Sequence, residues 1–497
     1  MNMKRIFALL LAMMLVLSLA ACGGEETPAV QNQPGTPSET QPSQEPQGGE
    51  TAKPVGNFAP TTGYDGSEVT ITFHHTMNAN LREVVDNYVA EFNKLYPNIT
   101  VIHEQVGGYD DVRDQISTKI SAGNQPNIAY CYPDHVAIYN MAKAVTTLDE
   151  RIEAKFECTR ADGTTEILGL TDEQKADFIE GYYNEGREFG DGLMYTMPFS
   201  KSTEVLYYNK TFFEENNLTV PTTWEELEAV CAKILEIDPM CYPLGYDSES
   251  NWFITMTEQY GSPYTSAEPG NQFLFDNEQN HAFVKMFNSW YQKGYVTTQN
   301  IYGGYTSGLF VNMETDTPNS YMSIGSSAGA THQRPAKTDG GYPFEVGITT
   351  IPQVDPANPK VISQGPSVCI FQKDNEQEVI ASWLFVKFLT TSPEFQAEFS
   401  MASGYVPVIK SAAENPVYAE FMNNADGGDQ IAALSAKVCL AQSDAYYTSP
   451  AFDGSSKARD EVGALLTACL TYNGDDVDGF IAQKFEEAFD ECDYYAN

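Results

Sequence analysis

Basic residues are scarce in this chain. It has 28 lysines and arginines against 68 aspartates and glutamates, which gives a formal net charge of -40. Such an acidic surface disfavours nucleic acid and anionic lipid headgroups. The sequence also has no P-loop and no G-x-G-x-x-G after a strand. We therefore expect neither a nucleic acid partner nor a cofactor.

Metal-binding patterns are missing as well. The nine cysteines show no C-x-x-C and no zinc-type spacing, and the six histidines show no local ligand spacing. The minor alternative is a metal site where strand ends bring His75, His103 and His135 together, with Asp134 or Glu104. Without a local pattern in its favour, the sequence predicts no metal site.

Disulfides can form in an exported protein, but the spacing of the cysteines does not identify any pair as a disulfide. Cys231 and Cys241 are the only close pair of cysteines. Cys131 and Cys369 lie in apolar, strand-like runs, which is typical of buried free thiols.

The N-terminus has the pattern of an export signal. Lys4 and Arg5 precede an apolar run from Ile6 to Leu19, which is too short for a typical membrane span. The following Leu-Ala-Ala-Cys-Gly resembles a bacterial lipobox, with Cys22 as the lipid-modified residue. An ordinary cleaved signal that ends at Ala21 is the alternative. We expect residues 1–22 to be a lipoprotein signal peptide.

Residues 23–65 form a predicted disordered linker. Up to about Pro60 this segment consists mainly of Gly, Pro, Gln, Thr, Ser and Glu, and it cannot bury enough apolar surface to fold. The remaining part exceeds 400 residues, which favours at least two lobes. No later apolar run is long enough to cross a bilayer.

Predicted strands and helices alternate along the body. The run from Val69 to Phe73 predicts a strand, and apolar residues at helical spacing from Leu81 to Leu95 predict a helix that ends before Pro97. Strand-like runs follow at 99–102 and 127–131, each with a helical segment after it. This alternation predicts an α/β fold with largely parallel sheets.

Two blocks of residues along the body carry a resemblance to a known family. The first block is Met197-Pro198-Phe199, Val205-Leu206-Tyr207-Tyr208-Asn209-Lys210 and Pro221-x-Thr223-Trp224-Glu225-Glu226-Leu227. The second block is Gly365-Pro366-Ser367, the run from Ala381 to Leu389, Ser392-Pro393-Glu394 and Ser403-Gly404-Tyr405-Val406-Pro407-Val408. These blocks resemble the family 1 extracellular solute-binding proteins, which serve ATP-driven importers and include the maltose- and glycerol-phosphate-binding proteins. Their order and spacing extend the resemblance over nearly the whole body.

The resemblance implies two α/β lobes joined by hinge segments, with a ligand in the cleft between them. The first lobe would comprise 66–199 and 366–410, and the second lobe 200–365 and 411–497. Pro198 and Pro366 lie beside the implied crossings as rigid residues, and Gly365 and Gly404 as flexible ones. Hinge closure around a solute is the switching mode that such a fold implies.

The candidate ligand contacts follow predicted strands, because ligands of open α/β sheets bind beyond the carboxyl ends of the strands. By this rule and by the resemblance, Asp134 and Glu204 are candidates to hold sugar hydroxyls; a helix-capping Asp134 and a Glu204 in a surface ion pair are the alternatives. Trp252 lies in polar company and is a candidate stacking platform. The remaining candidates are Asn78, Tyr132, Ser326 and Phe452.

A hydrolase is the competing interpretation. Gly325-Ser326-Ser327-Ala328-Gly329 matches the G-x-S-x-G pattern after a predicted strand. His332 is the only histidine downstream of Ser327, and it is too near in sequence to serve as the distant base of a triad. We therefore predict no catalytic residues and no enzymatic activity.

The sequence thus predicts a monomeric, non-enzymatic binding component of an ATP-driven importer. Its expected partners are a small solute, most simply a sugar or oligosaccharide, and the membrane permease subunits. Glycerol phosphate esters, polyamines and peptides are the alternative ligands. The expected location is the outer face of the cytoplasmic membrane, held there by the N-terminal lipid alone.

Overall fold

The computed structural model describes residues 59–314 and 317–496. The predicted signal peptide, Cys22 and the predicted linker up to residue 58 lie outside these residues. The linker boundary at 65 needs correction, because Tyr64 is already buried in the first hydrophobic core. Thr61 also donates hydrogen bonds from its backbone N and its hydroxyl to Glu376. Packed structure therefore begins before residue 66.

Strands and helices alternate through the described residues. The strands are β1 (Val69–His75), β2 (Ile99–Gln105), β3 (Ile128–Cys131), β4 (Glu157–Thr159), β5 (Thr165–Ile167), β6 (Thr196–Pro198), β7 (Ser202–Asn209), β8 (Leu244–Tyr246), β9 (Val296–Thr298), β10 (Met322–Ser326), β11 (Val346–Thr350), β12 (Val361–Gln364), β13 (Ser367–Ile370) and β14 (Tyr446–Tyr447).

The helices include long amphipathic ones and short connecting turns. They are α1 (Ala79–Leu95), α2 (Tyr109–Ser121), α3 (Pro133–Met141), α4 (Asp149–Ile152), α5 (Asp172–Asp177), α6 (Glu180–Asn184), α7 (Lys210–Glu215), α8 (Trp224–Ile237), α9 (Glu249–Tyr260), α10 (Glu278–Gln292), α11 (Gln299–Tyr302), α12 (Ser307–Phe310), α13 (Glu376–Thr390), α14 (Pro393–Ser403), α15 (Pro416–Asn423), α16 (Ile431–Ala441), α17 (Ser455–Thr471) and α18 (Val477–Ala496). Short 3-10 helices cover Glu185–Arg187, Ser327–Gln333, Lys410–Glu414 and Ser443–Ala445.

Local sequence signals explain several helix starts. Thr223 caps α8 through its hydroxyl, and the Glu226 carboxylate reaches back to the Thr223 backbone N–H, as the capping-box pattern predicts. Pro133 occupies the first turn of α3, where its missing N–H costs no intrahelical hydrogen bond. α14 begins at Pro393 in the same way, after the cap residue Ser392.

The first lobe is built on a five-stranded sheet in the order β2-β1-β3-β13-β6. β1 pairs in parallel with β2 and β3, whereas β13 runs antiparallel to both of its neighbours. The second lobe has a sheet in the order β14-β12-β7-β10-β8-β9, with β11 also paired to β7. Here β7 is the reversed strand, antiparallel to β10, β11 and β12. Each sheet is therefore mostly parallel, with one reversed strand.

Both reversed strands follow a passage between the lobes. The chain leaves the first sheet after Pro198 and enters the second at Ser202, and it returns between Gln364 and Ser367. A third passage lies later than the predicted boundary at 410. α15 packs against α14 of the first lobe, whereas α16 packs against β7 and β11 of the second. The third passage therefore lies within 416–431.

Each sheet has its own apolar core. The first core contains Phe73, Phe92 and Trp383, and the second contains Trp252, Phe287 and Trp290. The eight cysteines in the described part of the chain are all buried and free, including Cys231 and Cys241. Among the described helices, none combines the length and the apolar character needed to cross a membrane. The two-lobed α/β fold is thus confirmed.

Candidate ligand-binding site

A cavity of about 260 Å³ lies between the two lobes. The first lobe contributes Tyr109, Asp110, Arg113, Tyr132, Pro133, Asp134, His135 and Glu185 to its lining. The second lobe contributes Ile254, Tyr264, Thr265, Ile362, Ser363, Gln364, Thr448, Ser449, Pro450, Ala451, Ser455, Ser456, Arg459 and Asp460. This lining combines carboxylates, two guanidinium groups, tyrosine rings and hydroxyls.

Two helix starts form the first-lobe wall. Tyr109, Asp110 and Arg113 belong to the first turns of α2, and Tyr132 immediately precedes α3. The rings of Tyr109 and Tyr132 lie with their centroids 4.8 Å apart. Asp134 lies in the first turn of α3, where a carboxylate also interacts favourably with the helix dipole. This wall presents aromatic faces beside a carboxylate.

A third helix start faces this wall from the second lobe. Ser455, Ser456, Arg459 and Asp460 all lie in the first two turns of α17. Arg113 Nη1 lies 3.4 Å from the Ser456 hydroxyl, to which it donates across the cavity. Nearby, the backbone N–H of Ala451 donates to the carbonyl of Glu188 at 2.7 Å. The two lobes are therefore in direct contact at the cavity rim.

A buried ion pair includes Glu185, which lines the cavity. Lys201, in the first passage between the lobes, donates to the Glu185 carboxylate, and neither side chain is more than 2% exposed. Lys201 also donates to the Gly365 carbonyl at 3.2 Å and to the Ser367 hydroxyl at 3.1 Å. Burial raises the pKa of Glu185, and the Lys201 ammonium opposes that rise. Lys201 thus links a cavity-lining carboxylate to two of the three passages between the lobes.

The sequence profile of the bacterial extracellular solute-binding proteins matches residues 87–425, which is more than half of the chain. The chain belongs to this family. The resemblance deduced from the two sequence blocks is thereby confirmed. Among curated relatives, the sn-glycerol-3-phosphate-binding periplasmic protein of Salmonella typhimurium is 24% identical over 372 residues, covering 71% of this chain and 77% of the relative.

Solved structures of other solute-binding proteins share the fold. The Mycobacterium tuberculosis UgpB complex with glycerophosphocholine superposes with a TM-score of 0.66 at 19% identity, covering 86% of this chain and 99% of that one. The maltodextrin-binding domain from Bdellovibrio bacteriovorus, bound to maltotriose, gives a TM-score of 0.61 at 16% identity, covering 86% and 99%. At these identities the likeness concerns the fold.

Two of the seven candidate contacts of this solute-binding protein line the cavity. Tyr132 lies edge-on to His135, with ring centroids 5.5 Å apart, and Asp134 Oδ1 accepts from the His135 backbone N–H at 3.1 Å. That hydrogen bond occupies one free N–H of the first turn of α3, but Asp134 is not the cap, because the cap position is Tyr132, whose side chain makes no capping hydrogen bond. Tyr132 and Asp134 remain predicted ligand contacts.

Glu204 lies beneath the cavity wall rather than on it. Its side chain accepts hydrogen bonds from the Tyr246 hydroxyl at 2.7 Å and from Asn251 Nδ2 at 3.0 Å. Only 1% of Glu204 is exposed. It therefore neither touches the cavity nor forms a surface ion pair, because Asn251 lies between it and Arg459.

Trp252 belongs to the core of the second lobe. It is fully buried, and its ring stacks on Tyr246 with centroids 4.8 Å apart. The centroid of the Phe287 ring lies 4.0 Å from that of Trp252. The polar residues that precede it are the cap and first turn of α9, and the side chain of Trp252 faces the core from this helix. The stacking-platform assignment is therefore wrong. Phe452 is also buried, with its ring 5.7 Å from that of Phe273.

Asn78 and Ser326 have local structural roles. Asn78 caps α1 by accepting from the Leu81 backbone N–H at 3.2 Å. The Ser326 hydroxyl accepts from the Ala328 N–H at 3.3 Å and begins the 3-10 helix that follows β10. Neither residue lines the cavity between the lobes.

The serine of the G-x-S-x-G motif and two of the histidines have local hydrogen-bond partners. Ser327 is fully buried and its hydroxyl accepts from the Thr203 N–H at 3.1 Å, whereas His332 is exposed. His75 and His103 bond to each other at 2.9 Å, and His103 Nε2 bonds to Asp86 at 2.9 Å. Among the described residues, no three His, Cys, Asp or Glu side chains are grouped so as to hold a metal ion.

Three charged residues that line the cavity were not predicted from the sequence. Arg113, Arg459 and Asp460 lie on helices, where a charged residue is most simply interpreted as solvent-facing. The strand-end rule that found Tyr132 also applies to the two-residue strand β14, which leads through the 448–451 segment to α17. That strand is too short to give a sequence signal.

Proposed function

We propose that this protein captures a sugar or oligosaccharide between its lobes and delivers it to the permease subunits of an ATP-driven importer. The observation that carries the proposal is the mixed lining of the inter-lobe cavity. Carboxylates accept hydrogen bonds from sugar hydroxyls, guanidinium groups donate to hydroxyl and ring oxygens, and tyrosine faces pack on the apolar side of the rings. Asp134, Arg459 and Tyr132 represent these three functions.

The lobes supply these groups from opposite sides. Arg113 and Asp134 come from the first lobe, and Arg459 and Ser449 come from the second. A solute that bridges both walls favours the closed arrangement of the lobes over an open one. Closure removes water from the cavity, and each hydrogen bond to the solute then becomes stronger. The permease would recognise the closed form, and the solute would leave unchanged.

A glycerophosphodiester is the second candidate ligand. Arg113 and Arg459 offer guanidinium donors to a phosphate, and the carboxylates of Asp110 and Asp460 lie in the same cavity to face a cationic group. The solved complex of the Mycobacterium tuberculosis protein contains glycerophosphocholine, and the Salmonella relative is a glycerol-phosphate-binding protein. The excess of carboxylates over guanidinium groups in the lining favours the neutral, hydroxyl-rich ligand.

The proposal includes the cell-surface location deduced from the N-terminal pattern. Cys22 would carry the lipid, and a monomeric body would extend from the outer face of the cytoplasmic membrane. Mass spectrometry of the mature N-terminus, compared with a Cys22→Ala variant, tests this assignment. An acylated N-terminal cysteine supports it, and an unmodified N-terminus contradicts it.

Thermal unfolding with a panel of solutes tests the ligand class. A ligand at 100 times its Kd stabilises the folded state by about 2.7 kcal/mol and raises the Tm. Maltotriose and other oligosaccharides should raise the Tm of the wild type, and Asp134→Asn should weaken the effect. Glu173→Gln, an exposed carboxylate of α5 outside the cavity, is the matched control. A Tm shift with glycerophosphocholine alone would favour the second candidate, and chemical conversion of any solute would contradict a pure binding role.

A further inference from the structure

Glu204 is a buried carboxylate whose two oxygens are both occupied. Tyr246 donates to Oε2 at 2.7 Å and Asn251 donates through Nδ2 to Oε1 at 3.0 Å. The backbone carbonyl of Glu204 accepts from Gln442 Nε2 at 3.1 Å. Burying a carboxylate costs free energy that its hydrogen bonds must offset, so we expect Glu204 to have a specific structural or functional role.

Asn251 connects this carboxylate to the cavity wall. Its Nδ2 donates to Glu204 while its Oδ1 accepts from Nη2 of Arg459. Only one orientation of the Asn251 amide satisfies both neighbours, because Glu204 offers acceptors and Arg459 offers donors. The amide therefore bridges a buried carboxylate and a guanidinium that lines the cavity, and it does so in a single orientation.

The packing of two helices makes this link possible. Gly463 lies one turn after Arg459 on α17, and a Cβ there would come within 2.5 Å of the Ser250 hydroxyl of α9. The absence of a side chain at 463 lets α17 approach α9 closely beside Asn251. Asn251 is itself placed by the hydrogen bond from its backbone N–H to Ser248, the cap of α9.

Other titratable groups surround Glu204. Asp247 is the acid whose charge acts on Glu204, and its Oδ1 accepts hydrogen bonds from the Thr306 N–H and hydroxyl. Tyr246 and Tyr447 are the facing phenols, and Arg459 is the facing cation. Burial raises the pKa of Glu204 to about 7, although the hydrogen bonds from Tyr246 and Asn251 and the charge of Arg459 oppose the rise.

We propose that Glu204 is a positioning residue which, through Asn251, holds the Arg459 guanidinium in the orientation that contacts the bound solute. This inference rests on the proposed function, since it assigns Arg459 to the ligand. Glu204 touches no solute itself. Its carboxylate determines which way the Asn251 amide points, and the amide determines where the guanidinium lies.

Protonation of Glu204 should disturb this chain. A neutral acid has lost the negative charge that attracts Arg459 and replaces one acceptor with a donor. If that proton faces Asn251, the amide must turn and present its NH₂ group to the guanidinium. The affinity for the solute should therefore fall as the pH decreases through about 7.

A charge exchange between positions 204 and 251 tests the proposal. Glu204→Gln removes the negative charge, although its amide oxygen can still accept from Asn251 when its NH₂ group donates to the Tyr246 hydroxyl. Asn251→Asp places two carboxylates face to face. The double variant Glu204→Gln/Asn251→Asp restores every hydrogen bond. In it, Tyr246 donates to the new amide at position 204, that amide donates to the new carboxylate at position 251, and Arg459 donates to the same carboxylate. Asn251→Asp should raise the Kd by at least about tenfold, the value of one charge-assisted hydrogen bond. Glu204→Gln should raise the Kd less, and the double variant should recover most of the loss in Asn251→Asp.

The measurement is isothermal titration calorimetry with maltotriose and, in parallel, with glycerophosphocholine, from pH 5.5 to 8.5. In the double variant the affinity should no longer fall as the pH decreases through 7. Lys233→Gln, an exposed residue of α8, is the control for nonspecific charge effects. If the wild type binds neither probe, the proposed function fails. If the wild type binds and the double variant is as weak as Asn251→Asp, the inference alone is overturned.

A second measurement needs no solute. Carbon NMR of the Glu204 carboxyl group reports its pKa in the wild type and in Arg459→Gln. Because the Arg459 charge lowers the pKa of Glu204, its removal should shift the titration to higher pH. An unchanged titration would show that the two groups do not interact, and the positioning role would be overturned.

Discussion

The Lys201 ammonium and the Glu185 carboxylate form an ion pair that is almost fully buried where the chain first passes between the lobes. Glu185 lines the cavity, and Lys201 also reaches the Gly365 carbonyl and the Ser367 hydroxyl of the second passage. One side chain therefore joins the ligand cavity to two of the three connections between the lobes. Substitutions of Lys201 should therefore alter both the free energy of unfolding and the closure of the lobes.

Replacing Lys201 by Met should lower the free energy of unfolding by about 3–5 kcal/mol, because it leaves a buried carboxylate without its counter-charge. Urea denaturation at pH 7 measures this loss. The double variant Lys201→Met/Glu185→Gln removes both charges and should recover part of the stability. A double variant less stable than Lys201→Met would show that the isolated Glu185 charge is not the cause of the loss.

Gly365 in the second passage should resist substitution for two separate reasons. Its φ is +90°, and a Cβ would lie 2.5 Å from the Ser200 carbonyl oxygen. Gly66, with φ +86° and open space around a Cβ, is the matched control for the backbone term alone. Gly66→Ala should cost about 1 kcal/mol, and Gly365→Ala should cost clearly more, as measured by thermal unfolding. Equal losses would show that the Ser200 contact has no effect.

The raised pKa of Glu204 predicts a specific pH dependence of stability. Its pKa rises from 4.5 to about 7 on folding, so the folded state binds this proton more tightly than the unfolded state. Its contribution is present below pH 4.5 and is lost as the pH rises through 7, a change of roughly 3 kcal/mol. The wild type should therefore lose stability relative to Glu204→Gln between pH 4.5 and 7.5 in urea titrations. A constant difference between the two proteins would contradict the prediction.

Asn78→Ala and Asp134→Asn should separate a capping residue from a ligand contact. Asn78→Ala removes the α1 cap and should lower the free energy of unfolding by about 1 kcal/mol while leaving solute affinity unchanged. Asp134→Asn should have the larger effect on affinity, because it removes a cavity carboxylate. Urea denaturation and calorimetric titration with maltotriose measure the two effects. Weaker solute binding by Asn78→Ala would indicate that Asn78 contacts the ligand after all.

The alternation of strands and helices was sufficient to predict the fold class, and the order of the two sequence blocks was sufficient to predict the family. Tyr132 and Asp134 could be placed at the cavity because both follow β3 directly, where the strand-end rule is strongest. The third passage was harder, since α15 and α16 lie close in sequence and yet pack on different lobes.

The errors in the site have physical causes. The polar run before Trp252 has the composition of a loop, but its residues cap α9, and the indole turns into the core. Glu204 has the residue type of a ligand contact, and only the approach of α17 to α9 shows that Asn251 separates it from the cavity. Arg459 depends on that same long-range packing, which no local pattern encodes.

The position of β13 constrains the order in which this protein can become structured. β13 lies between β3 and β6 in the first sheet, although the whole β7–β12 segment precedes it in the chain. A polypeptide made from its N-terminus therefore cannot complete this sheet until residue 370 has emerged. The interleaved order of the lobes thus delays completion of the first core until the β7–β12 segment of the second lobe has been made.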